Sequence, residues 1–284
     1  MGGASITTAT MRQTARKQYP NVFATVQFLT RPESQTFAFA VATMAVLSFF
    51  PFMIVLILLI RGVLESAAMY DVLLRILRDH LPIAQDFVLN ALTTLVAAHK
   101  HIEFFSMLVL FIASRAVFMP LEVALNRIWG FEKSRNWIHN QVVGIGLAVL
   151  CGVIGLASVA LTAGNQFLWL EVLGGGKHAL ARLGTFIIMK TISTAASVGI
   201  FFFIYWLIPN GKVSASHVFP AALWFGILWE AMKYFYVLAL PHINFQLVYG
   251  PFAVSVALIF WGYLSGLVLL AGAYASATRH GGIW

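Results

Sequence analysis

Acidic side chains are scarce in this chain: ten Asp and Glu in 284 residues, against eighteen Lys and Arg. Charged residues of both signs make up only 10% of it, where soluble domains carry about 25%. So few charges cannot cover the surface of a chain that is 60% hydrophobic. A fold surrounded only by water is excluded, and hydrocarbon must be the solvent for much of the molecule. Cysteine is nearly missing as well. Cys151 stands alone in an apolar run, which excludes an intrachain disulfide and a Cys-based metal site. No short apolar core with a cleavage site follows Arg12, Arg16 and Lys17, so we expect no removable signal peptide and a first span that directs insertion. The alternating ten-residue strands of a barrel are also missing. A spanning segment must satisfy its backbone internally, which leaves helices.

Six long apolar runs are there instead. They predict an all-α fold, a polytopic transmembrane helical bundle with spans at about 37–60, 104–125, 138–161, 185–208, 218–240 and 252–275. Residues 1–18 read as a polar tail, 19–277 as one transmembrane domain and 278–284 as a second tail. Before the first span, Tyr19, Val22, Phe23, Val26 and Leu29 recur near helical spacing and predict an amphipathic helix on the membrane surface, ended at Pro32-Glu33. Residues 62–103 hold five acids and periodic apolar positions. Met69, Val72, Leu73, Ile76 and Leu77 precede Pro82, and Phe87, Val88, Ala91, Leu92 and Leu95 follow it. This predicts an extracytoplasmic hairpin of two amphipathic helices. Residues 162–184, with Gly174-Gly175-Gly176, read as a loop, and Pro241 as the stop of the fifth span.

The formal charge of +8 raises nucleic acid as a partner, but no soluble segment carries basic runs interleaved with aromatics. Basic residues flanking spans beside anionic lipid account for it better, so lipid is the expected partner and nucleic acid is not. With the N-terminus inside, the cytoplasmic segments hold nine Lys and Arg (12, 16, 17, 31, 127, 133, 135, 212, 279) and the other side six (61, 75, 78, 100, 177, 182). The bias predicts a multi-pass protein with both termini cytoplasmic.

Several motifs recur along the spans: Leu47-Ser48-Phe49-Phe50-Pro51, Leu125-Asn126-Arg127-Ile128-Trp129-Gly130, Leu207-Ile208-Pro209-Asn210, Phe219-Pro220, Trp229-Glu230-Ala231-Met232-Lys233, Val248-Tyr249-Gly250-Pro251 and Ala271-Gly272-Ala273. Together they resemble the YihY/BrkB family of bacterial inner-membrane proteins. The resemblance covers roughly residues 20–277. It implies an inner-membrane protein for which movement of a lipid or another amphiphile is the leading expectation. The chain departs from the family pattern at Ala221, where the family usually has Gly, and at Tyr274, where it usually has Glu. A ribonuclease label also travels with the family. The residues give it no support: the eight histidines are scattered over loops and span ends, and no His/Asp/Glu cluster has metal-ligand spacing. We therefore expect no catalytic residues, metal or cofactor.

Charge inside a span is costly and marks candidate function. Arg115 and Glu122 share a face of the second span two turns apart, and Asn126 continues that stripe. Glu230 and Lys233, three apart in the fifth span, can pair directly. We expect Arg115, Glu122, Asn126, Glu230 and Lys233 to line a polar centre. It would serve either as a path for a polar or anionic headgroup or as an ion-pair network that fixes helix register. Lys190 is expected to reach for the interface. Pro51 should kink the first span, with Ser48 or a neighbouring helix serving the carbonyl it frees. Pro209-Asn210-Gly211 reads as a tight turn and Tyr249-Gly250-Pro251 as the turn opening the sixth span. Gly262 and Gly266 form a GxxxG that admits a close helix, from this chain or from a second copy. Transport of a lipid or other amphiphilic or anionic substrate is the first functional reading. A non-catalytic scaffold or accessory subunit of a larger membrane complex is the alternative.

Overall fold

A computed structural model describes residues 22–80, 118–131, 137–171 and 179–279. Among them every regular element is helical. In chain order these are α1 (Val22–Leu29), α2 (Pro32–Leu58, continued by a π-helical turn Leu59–Val63), α3 (Ala67–His80), α4 (118–129), α5 (Trp137–Glu171), α6 (Ala179–Leu207), α7 (Ala215–Ile243), α8 (Phe245–Tyr249) and α9 (Ala253–Arg279). Five of these segments are long and apolar enough to cross a membrane: Pro32–Val63, Ile138–Leu161, Phe186–Leu207, Ala215–Leu240 and Ser255–Thr278. They coincide with five of the six expected spans. Residues 104–117 of the remaining one lie outside the described residues, and its end, 118–125, is helical. Large apolar side chains such as Phe39, Leu47, Val149, Trp224, Phe235 and Leu238 remain exposed on these helices. A bilayer solvates such a surface, whereas water would not.

The bundle is assembled by backbone proximity as well as by side-chain volume. In α9, Gly262 and Gly266 face Ala42 and Ala38 of α2. A Cβ placed on either glycine would stand 3.0 or 3.1 Å from the opposing alanine Cα. The GxxxG therefore mates with an Ala-x-x-x-Ala in the same chain, and dispersion contacts hold the pair where lipid supplies no hydrophobic drive. α6 packs along α7, and α7 in turn along α9. The main core gathers Leu121, Leu125 and Ile128 of α4, Tyr205 and Ile208 at the end of α6, and Leu270 and Ala273 of α9. The Tyr205 hydroxyl is buried and donates to the carbonyl of Leu269 at 2.9 Å.

The turn between α1 and α2 is closed by side chains. Ser34 Oγ and Gln35 Nε2 donate to the Phe28 and Leu29 carbonyls at 2.8 and 2.7 Å, which fills acceptors that a helix end leaves open. α1 keeps Val22, Phe23 and Val26 exposed and buries Phe28, as an interfacial helix should. At the other end of α2, Ser66 caps α3 through the amide of Met69 at 3.2 Å. Met69, Val72 and Leu73 of α3 then bury against Ile57 and Ile60 of α2 and Val159 of α5. This is the first half of the expected hairpin. Residues 81–103, its second half, lie outside the described residues.

Three expectations change. Residues 162–171 and 179–184 are helical, so the expected 162–184 loop shrinks to the stretch between α5 and α6. Their sequence holds no proline to break a helix, and Asn165 and Gln166 alone do not stop one. Pro241 does not end α7, which continues to Ile243. The stop is Asn244, whose left-handed backbone (φ 45°) is the usual terminator. Ser48 does not serve the carbonyl at Leu47 that Pro51 leaves free. Its hydroxyl lies 2.9 Å from the Met44 oxygen and 3.1 Å from that of Ala45.

Candidate functional site

Within α6, Lys190, Ser193 and Ser197 recur at spacings of three and four and form one polar stripe on an apolar helix. α7 meets that stripe with Glu230, Lys233 and Tyr234. Gly226, one turn before Glu230, lets the helices approach: a Cβ there would come 2.9 Å from the Cα of Val198. This crossing brings the serine hydroxyls within reach of the carboxylate.

Glu230 has a partner at each carboxylate oxygen. Its Oε2 pairs with Lys233 Nζ at 2.7 Å, and its Oε1 accepts from Ser197 at 2.6 Å and from Ser193 at 3.1 Å. The carboxylate side chain is 7% exposed and the Lys233 side chain 12%. Lys233 Nζ also reaches Ser193 Oγ at 3.3 Å. An ion pair this buried is better tolerated when further lone pairs find partners, and the two serines supply these at Oε1. Lys190 reaches an aromatic seat on the two helices. Its Nζ lies 3.4 Å from the centre of the Tyr234 ring and 5.5 Å from that of Phe186, a cation–π seat beside the pair. On the inner side, Trp229 donates to Ser265 Oγ of α9 at 2.9 Å and packs against Trp261, while the Tyr236 hydroxyl donates to the Ala257 carbonyl at 2.7 Å. α7 is thus tethered to α9 by the residue just before Glu230 and by one about a turn after Lys233.

Of the five residues expected in the polar centre, the structure joins two, Glu230 and Lys233. Asn126 belongs to the opposite end of the bundle. Its Oδ1 accepts from the backbone amide of Asn210 at 2.7 Å in the α6–α7 turn, while Glu230 stands fifteen residues into α7, about 22 Å along the helix axis. Glu122, half-buried, sits one turn before Asn126 on α4. Arg115 lies outside the described residues. The members that sequence reasoning missed are Ser193 and Ser197. Their signal was the spacing from Lys190 along an otherwise apolar span.

The remaining motif positions build the frame. Gly130, with φ 69°, ends α4, and the amide of Phe131 donates to the Asn126 carbonyl at 2.8 Å, a helix-terminating turn that needs the left-handed conformation. The Phe131 ring then lies on Gly211, where a side chain would collide with it. Pro209-Asn210-Gly211 is thereby clamped from α4. Arg127 of α4 reaches Glu33 of α2 at 2.9 Å, with both groups about half exposed. Gly250, with φ 51°, and Pro251 form the 3-10 turn Gly250–Phe252 that opens α9, with Tyr249 at its cap. Gly272 makes room for the Tyr205 hydroxyl and the Phe225 ring. Tyr274, the departure noted above, stacks on Phe28 of α1 with ring centres 4.4 Å apart and planes 6° from parallel. Nine residues separate it from Ser265 on α9, about 13 Å along the axis, so this position is no part of the Glu230 centre. Among the described residues no three His, Cys, Asp or Glu converge as metal ligands.

The family profile described as Virulence factor BrkB matches residues 25–281. Among curated proteins, the chain is 29% identical over 166 residues to a UPF0761 membrane protein of Prosthecochloris aestuarii, which covers 58% of this chain and 38% of that protein. It is 29% identical over 175 residues to the UPF0761 membrane protein Nmul_A0452 of Nitrosospira multiformis, covering 59% of this chain and 38% of the relative. A UPF0761 membrane protein of Pseudoalteromonas atlantica is 25% identical over 236 residues, 82% of this chain and 76% of that protein. The chain thus spans less than half the length of two of these three relatives. No solved structure matches.

Proposed function

We propose, for a chain that belongs to the BrkB family of integral membrane proteins, that it moves an amphiphile with a polar or anionic headgroup across or between membrane leaflets. The observation that carries this reading is the charge cluster Lys190, Ser193, Ser197, Glu230 and Lys233 inside two apolar helices. Ion pairs within hydrocarbon are expensive and mark substrate paths more often than they add stability. The exposed apolar faces of α6 and α7 beside it leave room for an acyl tail in the surrounding lipid.

On this reading the protein sits in the bacterial inner membrane with both termini cytoplasmic, as the Lys and Arg bias favours. The cluster then lies in the half of the bilayer nearer the outer surface. Membrane lipid is its partner, and no catalytic step is assigned to it. The scaffold alternative loses one of its supports, since the GxxxG is occupied by α2 of the same chain.

The test is flux of a labelled phospholipid in vesicles holding the purified chain. Wild-type vesicles should exchange label between leaflets, and Glu230→Gln should reduce the rate to that of empty vesicles. Equal flux in the two proteins would reject the proposal.

A further inference from the structure

Glu230 is a poor cation site, because Lys233, Ser193 and Ser197 already contact its carboxylate and its side chain is 7% exposed. The charge left over in the cluster is positive: two ammonium groups, Lys190 and Lys233, against one carboxylate. Lys233 is held in the pair. Lys190 is half-buried, and it rests on the face of Tyr234 between α6 and α7. Tyr234 is 41% exposed, and Phe186, Ile187, Phe235 and Leu238, on the same stretches of the two helices, are 53–73% exposed. The ammonium therefore stands at the edge of the bundle, where the polar stripe of α6 meets lipid-facing aromatic rings. A cation–π seat leaves the far side of an ammonium open to one further acceptor.

We propose that Lys190 is the binding point for a single phosphate or carboxylate group that arrives sideways, through the seam between α6 and α7. Tyr234 holds the ammonium in place, Lys233 adds a second positive field 5.5 Å from the same ring, and the Ser193 hydroxyl lies beside it. The apolar rings along the seam fit the hydrocarbon part of an amphiphile. This rests on the transport reading only for its consequence; the binding site stands or falls by itself.

The test uses the full chain, stripped of co-purified lipid and placed in phosphatidylcholine discs with and without phosphatidylglycerol. Lipid retained on the protein is counted by native mass spectrometry and thermal stability is followed in parallel. Wild type should retain phosphatidylglycerol over phosphatidylcholine. Lys190→Gln should weaken that retention roughly tenfold, the loss expected for one charge-assisted contact, and Lys190→Arg should keep most of it. A second arm adds inorganic phosphate to discs of phosphatidylcholine alone. Lys190-dependent stabilisation by phosphate without phosphatidylglycerol preference would assign the same anion chemistry to a water-borne ligand. Equal phosphatidylglycerol retention and equal phosphate response in wild type and Lys190→Gln would overturn the site. So would a Tm loss in Lys190→Gln that is the same in every lipid, which marks a brace between α6 and α7 and nothing more. Should wild type bind in a Lys190-dependent way yet move no labelled lipid, the site survives and the transport reading fails. Should lipid move while Lys190→Gln retains phosphatidylglycerol like wild type, the reverse holds.

Discussion

Gly266 lies so close to Ala38 that a methyl group on the glycine would stand 3.1 Å from the alanine Cα and 3.2 Å from its carbonyl oxygen. Neither backbone can give way without moving a whole helix. Gly266→Leu should therefore separate α2 from α9 and lower the thermal stability in detergent. The expected cost is about 1–3 kcal/mol, typical of overpacking. Ala38→Gly in the same background should restore part of it. A Gly266→Leu variant as stable as wild type would place the α2–α9 contact elsewhere.

The α6–α7 crossing depends on Gly226 in the same manner, with a functional consequence. Gly226→Ala pushes against the Val198 backbone at 2.9 Å and moves Ser193 and Ser197 away from Glu230. Lipid flux should fall along with stability. Gly226→Ala with wild-type flux would show that the serine bonds are dispensable.

Asn126 presents the opposite case. It accepts from the Asn210 amide at 2.7 Å within a buried turn, and Asn126→Ala should cost about 1–3 kcal/mol by leaving that amide unserved. Anion binding at Lys190 should be unchanged in the surviving folded fraction. A binding defect at full stability would join the two ends of the bundle functionally.

The Arg127–Glu33 pair should matter little. Both partners are about half exposed, and pairs of that kind contribute about 0–1 kcal/mol, less at high salt. Thermal unfolding of Arg127→Ala at low and high salt checks this. A large, salt-insensitive loss would mean that Arg127 serves α4 by another contact.

Much of this architecture was legible in the sequence, because hydrocarbon imposes simple demands. Uninterrupted apolar runs give the spans, and Gly130 and Gly250 mark chain reversals that need positive φ. Glu230 and Lys233, at i and i+3, announce their own pairing. What could not be read was partnership between helices. Asn126 and Glu230 look alike as polar residues in apolar helices, yet one closes a turn and the other anchors a buried cluster some turns away. Ser193 and Ser197 were invisible as ligands of Glu230 until the Gly226 contact fixed how α6 crosses α7. The seat of Lys190 on Tyr234 likewise joins two helices, and nothing in α6 alone announces it. Pro241 misled for a different reason: a proline within an apolar helix can be carried through, and the αL residue Asn244 made the stop.

The two readings of the buried pair, path or register device, separate on one double variant. Breaking a buried pair from one side is expected to cost about 3–5 kcal/mol, while replacing both partners by similar-sized neutral groups is often close to neutral. Glu230→Gln combined with Lys233→Met should therefore fold more stably than either single variant. Its lipid flux in reconstituted vesicles, measured at matched protein content, is the decisive quantity. A folded protein whose flux has dropped to that of empty vesicles is the expected result. A folded double variant with wild-type flux would contradict it and leave the charges with a structural role alone.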